Sequence, residues 1–412
     1  RSRPSTGHLP GFSRMIDVAG AVGQLRYNAG WATKLAGETL DISSPGEWLN
    51  YVLREPIGVC AQIVPWNFPL VMAMGKLAPA LAAGCTVVLK PAEQTPLSTL
   101  PIGELVLEAG IPEGVVNIVS GLGRTAGAAL AAHMDVDKVA FTGSTVTGRA
   151  IIEASKGNMK RVQLELGGKS PTYVFADADL AKAIPAAAMS IFFNAGQVCA
   201  AGSRLLVHEK VADQVLEGVV NMAKGLKVGQ TLEGDTMIGP LVSATQLERV
   251  TGYIASGREE GASVLVGGGT IGAETAGGGY FVQPTVLLDT KPDMRVRKEE
   301  IFGPVLCAMS FGDDDDLDVM AGRGNETEFG LSASIYTQNI STAHKLARRL
   351  KAGSIRINGS AGVDPALPMG GFKASGWGRE NGRAGIEAYT ELKTVSVALC
   401  VVVLHSPVAS TV

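Results

Sequence analysis

Residues 56–91 read PIGVCAQIVPWNFPLVMAMGKLAPALAAGCTVVLKP, and this stretch decides the fold. Residues 57–63 are a short apolar run of the kind found in strands covered on both faces. Pro65 and Pro69 brace a turn. Residues 70–83 are Ala-rich and helical, and Gly84 stops them. Residues 86–90, TVVLK, make a second strand that Pro91 ends. Outward from there the alternation continues, with helices expected over 97–109, 126–132 and 148–155 and strands over 115–119 and 138–141. It restarts after Gly167-Gly168. Strands are expected over 171–175, 204–208, 263–266, 283–288 and 354–358, with helices over 180–194, 211–226, 244–260 and 343–350. This order implies an α/β fold with parallel sheets covered on both faces. Residues 40–54 and the run 394–404 read as strands outside both series, and 267–279 as a glycine-rich loop.

The 412 residues suffice for two or three domains. Apolar residues make up 46% and charged residues 18%, which describes a globular protein rather than a disordered one. A net charge of −3 argues against nucleic-acid binding. The five cysteines are scattered, with no CxxC and no Cys/His cluster, so neither a zinc site nor a disulfide framework is expected. No apolar run is long and uninterrupted enough to span a bilayer. The chain opens Arg1-Ser2-Arg3 without a signal-peptide pattern. A reducing, cytoplasmic setting is expected.

Five clusters carry chemistry. SGLGRTAG at 120–127 follows a strand and opens a helix, as a dinucleotide turn does, but its last spacing is one residue too long for GxGxxG. Gly121 is its candidate cofactor contact, and an ordinary β–α turn is the alternative. FTGSTVTG at 141–148 also joins strand to helix. Gly143 and Ser144 there offer an anion site at a helix N-terminus, or Ser144 is simply a cap. Glu165, beside Gly167-Gly168 at a domain junction, is either a solvated carboxylate or a general base reaching into a cleft. Cys199 lies at a polar, Gly-containing turn after a long helix, where a thiolate can act as a nucleophile. The other cysteines read as buried small hydrophobes. Asn67, held between two prolines, offers a side-chain N–H to a developing oxyanion or forms a structural turn. Val71 and Gly75 are expected on the Asn67 face of the following helix, with Gly75 leaving space there.

Together the motifs PWNFP (65–69), KPAEQTP (90–96), FTGSTVTG (141–148), LELGGKSP (164–171), FFNAGQVCAAGSR (192–204), EEIFGPV (299–305) and GGFKASGWGRE (370–380) resemble the aldehyde dehydrogenase superfamily, in its order. The resemblance implies an NAD-binding domain (1–39 and 58–167), a catalytic domain (168–391) and an oligomerisation element (40–57 and 392–412). It implies Cys199 as the nucleophile that forms a thiohemiacetal and then a thioester. Asn67 and the Cys199 N–H would hold the oxyanion, Glu165 would activate water, and Lys76 would be a proton-relay partner. Lys90 and Glu93 match adenosine-ribose contacts, Trp66 and Ser144 the pyrophosphate site, and Glu300 and Phe302 the nicotinamide side. A carboxylate at Glu93 disfavours a 2′-phosphate, so NAD is expected over NADP.

By position in the motifs, Phe68, Val71, Met72, Gly75, Phe193, Val198, Ala200, Val363 and Met369 would line the substrate tunnel. These apolar residues suit an aryl or medium-chain aliphatic aldehyde, and DPALPMGG and QVCAAGSR are similar to phenylacetaldehyde-type members. A betaine-aldehyde-type activity, with Asp364 as a candidate acid, is the alternative substrate class. A cofactor-independent thiol esterase and an inactive truncated member are the alternative functions. Full-length members of the family carry a further N-terminal segment. Residues 394–412 hold no Asp, Glu, Lys or Arg, and self-association as a dimer or tetramer is expected. No metal, nucleic-acid or membrane partner is expected.

Overall fold

A computed structural model describes residues 9–272, 278–359 and 364–399. The expected pocket residue Val363 and the end of the expected strand 394–404 lie outside the described residues.

Two α/β sheets carry the fold. The first has six strands in the order Gly376–Trp377, Arg161–Glu165, Lys138–Thr142, Val59–Ile63, Thr86–Lys90 and Val116–Ile118. All pair in parallel except Gly376–Trp377, which runs antiparallel to Arg161–Glu165. The strands Lys138–Thr142 and Val59–Ile63 are neighbours although two other strands intervene in sequence. Connections therefore leave this pair toward opposite sides, which opens a crevice beyond its carboxyl ends. Trp66, Asn67, Gly143 and Ser144 all follow those two ends.

The second sheet has seven strands in the order Ser263–Val266, Thr285–Leu288, Val305–Phe311, Arg204–His208, Pro171–Val174, Ser332–Tyr336 and Ser354–Ile357. Only Ser263–Val266 is antiparallel. The expected α/β class with parallel sheets is what the structure shows. A third sheet pairs Glu38–Thr39, Trp48–Pro56 and Thr390–Ala398, antiparallel throughout. Among the described residues, no helix is long and apolar enough to cross a membrane.

Several elements differ from the sequence expectation. The strands Val305–Phe311 and Ser332–Tyr336 have no counterpart in it. Both are buried along most of their length, so they lack the polar alternation that marks a strand. The strand Gly376–Trp377 lies in 168–391 but completes the first sheet. The expected helix 97–109 is split into Pro96–Ser98 and Ile102–Glu108, with Pro101 between them. The helix expected over 180–194 ends at Phe192. Asn194 and Ala195 take left-handed backbone at φ 52° and 53°, and Gly196 follows at φ 72°. Residues 10–29, given no elements in the sequence reading, form a continuous helical strap: Pro10–Phe12, the wider-turned Ser13–Val18, and Ala19–Ala29.

Arg204 opens a central strand of the second sheet and is 1% exposed. Its guanidinium donates to the carbonyls of Lys169, Arg323 and Gly324 and to Glu326 Oε1. Glu326 is shared with Arg297 at 2.7 and 3.0 Å. Truncating Arg204 strands three carbonyls and weakens the charge balance of a buried cluster. Arg204→Ala should therefore lower the unfolding free energy by about 3–5 kcal/mol, seen as a lower midpoint in urea. An unchanged midpoint would show that the cluster is dispensable.

Candidate active site

The loop 193–199 is built on constrained backbone. A Cβ at Gly196 would lie 2.1 Å from the Gly303 carbonyl, and one at Gly168 would lie 2.2 Å from the carbonyl oxygen of Cys199. Both glycines thus let the Cys199 loop pack directly on neighbouring backbone, one from 300–304 and one from the domain junction. Three amide side chains fix the loop. Asn67 Nδ2 donates to Gln197 O at 2.9 Å, and Asn194 Nδ2 donates to Asn67 O at 3.3 Å. Gln197 Nε2 donates to Asn194 O, and Gln197 Oε1 accepts from Val242 N. Asn67 is 3% exposed and Gln197 fully buried. Asn67 precedes the helix Pro69–Ala82 rather than lying on its face.

Cys199 is half-buried, with its thiol pushed up to about 12. Burial is the main cause, and the carboxylates of Glu300 and Glu165 add to it, against the backbone N–H groups of Ala200 and Cys199. Those same N–H groups stabilise negative charge at this point, as an oxyanion requires.

Glu165 is buried, at the end of its strand, and neither carboxyl oxygen has a hydrogen-bond partner among the described residues. The solvated-carboxylate reading is therefore corrected. Its carboxyl is held well above the usual range by burial and then by Glu380, against the pull of Lys76 and Arg379. Lys76 is buried and its ammonium pairs with Glu380. Lys76 and Glu380 pair with each other, and burial beside the Glu380 carboxylate disfavours a second anion. Glu165 is that one, because Glu380 already holds the lysine.

The cofactor candidates flank this centre. Trp66 meets the Phe302 ring edge-on at 5.4 Å. Phe302 itself has φ 60°, and Gln246 Nε2 donates to its carbonyl at 2.7 Å. Glu300 Oε1 accepts from Gly168 N at 2.9 Å, and burial raises the Glu300 carboxyl to about 7. Lys90 Nζ lies 3.5 Å from Glu93 Oε2, with Lys90 buried and the Glu93 side chain 39% exposed. Ser144 caps the helix Thr145–Ser155 through Thr147 N. Gly121 has φ 151°, and a Cβ at Gly143 would strike the Phe141 ring at 2.4 Å. The bare backbone at Gly121 and Gly143 and the exposed Glu93 carboxylate suit a dinucleotide.

Around the mouth, Phe68 and Phe193 stack at 6.2 Å. Ala200 and Met369 line one cavity together with Arg356 and Asp364. Asp364 Oδ1 accepts from Ala366 N at 2.8 Å. An added Cβ at Gly75 would stand 3.9 Å from the Gln24 amide, an ordinary contact distance. Val71 is held from the strap, its N–H donating to Asp17 Oδ1 at 2.9 Å. Met72 is half-buried against the helical core beside it, and Val198 against the core of the second sheet. Gln24, Asp17 and Phe12 of the strap, and Gln246 and Ser375, were missed by the sequence reading. Ser375 lies inside the motif 370–380 but was given no role there; the other four sit in no quoted motif, and only their positions in space reveal them. Among the described residues, no three His, Cys, Asp or Glu side chains group as a metal site.

The Aldehyde dehydrogenase family model matches residues 5–395. The chain belongs to the aldehyde dehydrogenase family. It is an oxidoreductase of that family. An aldehyde dehydrogenase of Emericella nidulans is 50% identical over 385 residues, covering 93% of this chain and 76% of the relative. The NAD+ complex of an aldehyde dehydrogenase from Bacillus cereus superposes with a TM-score of 0.92 at 48% identity, covering 96% of this chain and 79% of that one. An indole-3-acetaldehyde dehydrogenase, AldA of P. syringae, seen with NAD+ and IAA, gives 0.92 at 44%, with 96% and 79% covered.

A raised thiol pKa means that Cys199 is protonated at neutral pH and gains thiolate as pH rises. Its alkylation by iodoacetamide without cofactor should speed up about tenfold per pH unit between 7 and 9, read by mass spectrometry. A rate independent of pH would show a thiolate already formed.

Proposed function

We propose that this chain oxidises an aryl or medium-chain aliphatic aldehyde, such as phenylacetaldehyde, to its carboxylic acid, with NAD as cofactor. One observation carries the reading: three separate segments meet at the Cys199 loop, where the Asn67 amide holds the Gln197 carbonyl and the buried Glu165 carboxyl helps to raise the Cys199 thiol.

Cys199 Sγ adds to the carbonyl carbon and forms a thiohemiacetal. The Asn67 amide and the Cys199 N–H stabilise its oxyanion, each donor worth on the order of 10²–10³ in rate. NAD, when bound, accepts the hydride of this oxidation. Lys90, Glu93, Trp66, Gly121, Gly143, Ser144, Glu300 and Phe302 would hold it. The resulting acyl group stays on Cys199 as a thioester. Glu165 then takes a proton from water, which attacks the acyl carbon and releases the acid. Its raised pKa makes it a stronger base than an ordinary carboxylate. Lys76, paired with Glu380, would be the relay partner for that proton.

Two features favour an uncharged apolar aldehyde over a cationic one. The Asp364 carboxylate is engaged in its own turn, and Arg356 shares the cavity with Ala200 and Met369. The indole-acetaldehyde relative supports an aryl group. The exposed Glu93 carboxylate supports NAD over NADP, since it repels a 2′-phosphate. The ribbon of Trp48–Pro56 and Thr390–Ala398 exposes Trp48, Leu49, Leu53, Leu392 and Val397, which supports a homo-oligomer. Light scattering at micromolar concentration should give more than one subunit; a monomer mass would contradict it.

The protein with NAD+ and phenylacetaldehyde should form NADH, and Cys199→Ala should abolish this. Asn67→Ala should lower the rate about 10²–10³-fold. Glu165→Gln should leave one rapid turnover and then stall as a thioester, visible by intact mass. No NADH from any aldehyde, with ester hydrolysis retained, would favour the cofactor-free esterase instead.

A further inference from the structure

We propose that Gln24 is a positioning residue for thioester release: from the helical strap, its amide keeps the Lys76–Glu380 ion pair closed, so that Lys76 stays with Glu380 and Glu165 is left to act as the base. The inference rests on the aldehyde-oxidising reading and adds to it a residue outside every motif of the site.

Gln24 lies in Ala19–Ala29 and is 5% exposed. Its amide touches the chain beside both members of the pair. Nε2 donates to Asn381 Oδ1 at 2.9 Å, and Asn381 directly follows Glu380. The same amide lies 3.9 Å from where a Cβ of Gly75 would stand, and Gly75 directly precedes Lys76. Gln24 thus bridges the helix Pro69–Ala82, which carries Lys76, and the turn that carries Glu380. A buried amide left unpaired is strongly disfavoured, so the tie persists.

The amide is itself oriented. Asn28, one turn further on and also buried, donates from Nδ2 to Gln24 O at 2.8 Å and to Gln24 Oε1 at 3.4 Å. With Oε1 engaged as an acceptor, the Nε2 donor is the atom turned to Asn381. The strap is anchored to the Lys76 helix as well, because Asp17 Oδ1 accepts the Val71 N–H. Asn381 sits at φ 60°, a left-handed conformation that asparagine tolerates better than most residues. On the other side, Glu380 N and O pair with Met369 at 2.7 Å. Glu380 is therefore fixed by Met369 at its backbone and by Gln24 through the residue after it.

The charges give this tie a consequence. Glu380, Lys76 and Arg379 bear on the Glu165 carboxyl, and Glu165 in turn bears on the Cys199 thiol. Lys138 and Tyr389 bear on the ion pair from its far side. Glu380 opposes a Glu165 anion and Lys76 favours one. Loosening Glu380 weakens the first effect and frees Lys76 to strengthen the second. Glu165 then ionises at lower pH and is a weaker base once ionised.

Gln24→Leu keeps the bulk and removes the donor. With the thioester formed from NAD+ and phenylacetaldehyde, and its decay followed by intact mass after acid quench, the pH midpoint of release should fall by about 1 pH unit. The plateau rate should drop, with KM for NAD+ and for the aldehyde unchanged. Asn381→Gly accepts the left-handed backbone and removes the acceptor. It should act in the same way, and the double variant should be no worse than either alone. A second readout needs no turnover. An ionised Glu165 opposes the Cys199 thiolate, so alkylation by iodoacetamide at neutral pH without cofactor should slow by about threefold in both variants. Unchanged midpoints and alkylation rates with only a lower urea midpoint, or losses that multiply in the double variant, would overturn the proposal and leave Gln24 a packing residue. A wild-type chain that forms no thioester from any aldehyde would defeat the proposed reaction, and the alkylation rates would still decide Gln24.

Discussion

The site depends on the amide clamp between Asn67 and the loop 194–199. Asn194 and Ala195 sit in backbone that L-residues rarely adopt, at a cost of order 1–3 kcal/mol each. Asn67, Asn194 and Gln197 offset that cost by satisfying one another and the loop carbonyls. The clamp joins a loop of the first sheet to a loop of the second. The same contact therefore sets the shape of the nucleophile's loop and the spacing of the two sheets. Ser375 adds a second tie, accepting from Gly330 N and donating to Gly167 O.

Charge is distributed around this clamp with little slack. Lys76 is matched by Glu380, and Glu165 is left as the carboxyl that no ion pair holds among the described residues. Burial that would be a liability for a structural carboxylate here makes Glu165 a stronger base. The thiol is raised by the same surroundings, so the resting site is close to neutral. Reactivity then comes from donors already aimed at the reacting atoms rather than from a standing thiolate.

The α/β class and most strands were legible in the sequence, because 57–63 with 86–90 and 171–175 with 204–208 are apolar runs separated by helical ones. The site centre was legible as motifs: Cys199, Glu165 and Asn67 sit beside prolines or glycines that mark constrained backbone. Val305–Phe311 and Ser332–Tyr336 were not legible, since their Ala, Ser and Met positions break the β-branched run that marks a strand enclosed on both faces. The strap was not legible either. Phe12, Asp17 and Gln24 matter through what they touch 50 to 360 positions away, and no local pattern encodes such partners.

The pairing of Trp48–Pro56 with Thr390–Ala398 has a consequence for how the protein is made. Trp48 lies opposite Ala398, about 350 residues later. At roughly 5–20 residues per second, the ribosome needs on the order of 20–70 s to supply the second strand after the first. During that interval a nine-residue strand with apolar side chains waits without its partner. The ribbon closes only after both large sheets have most of their strands, so its formation reports a finished chain. A nascent polypeptide that stalls early exposes the waiting strand, a ready template for the wrong neighbour and for the cell's holding chaperones.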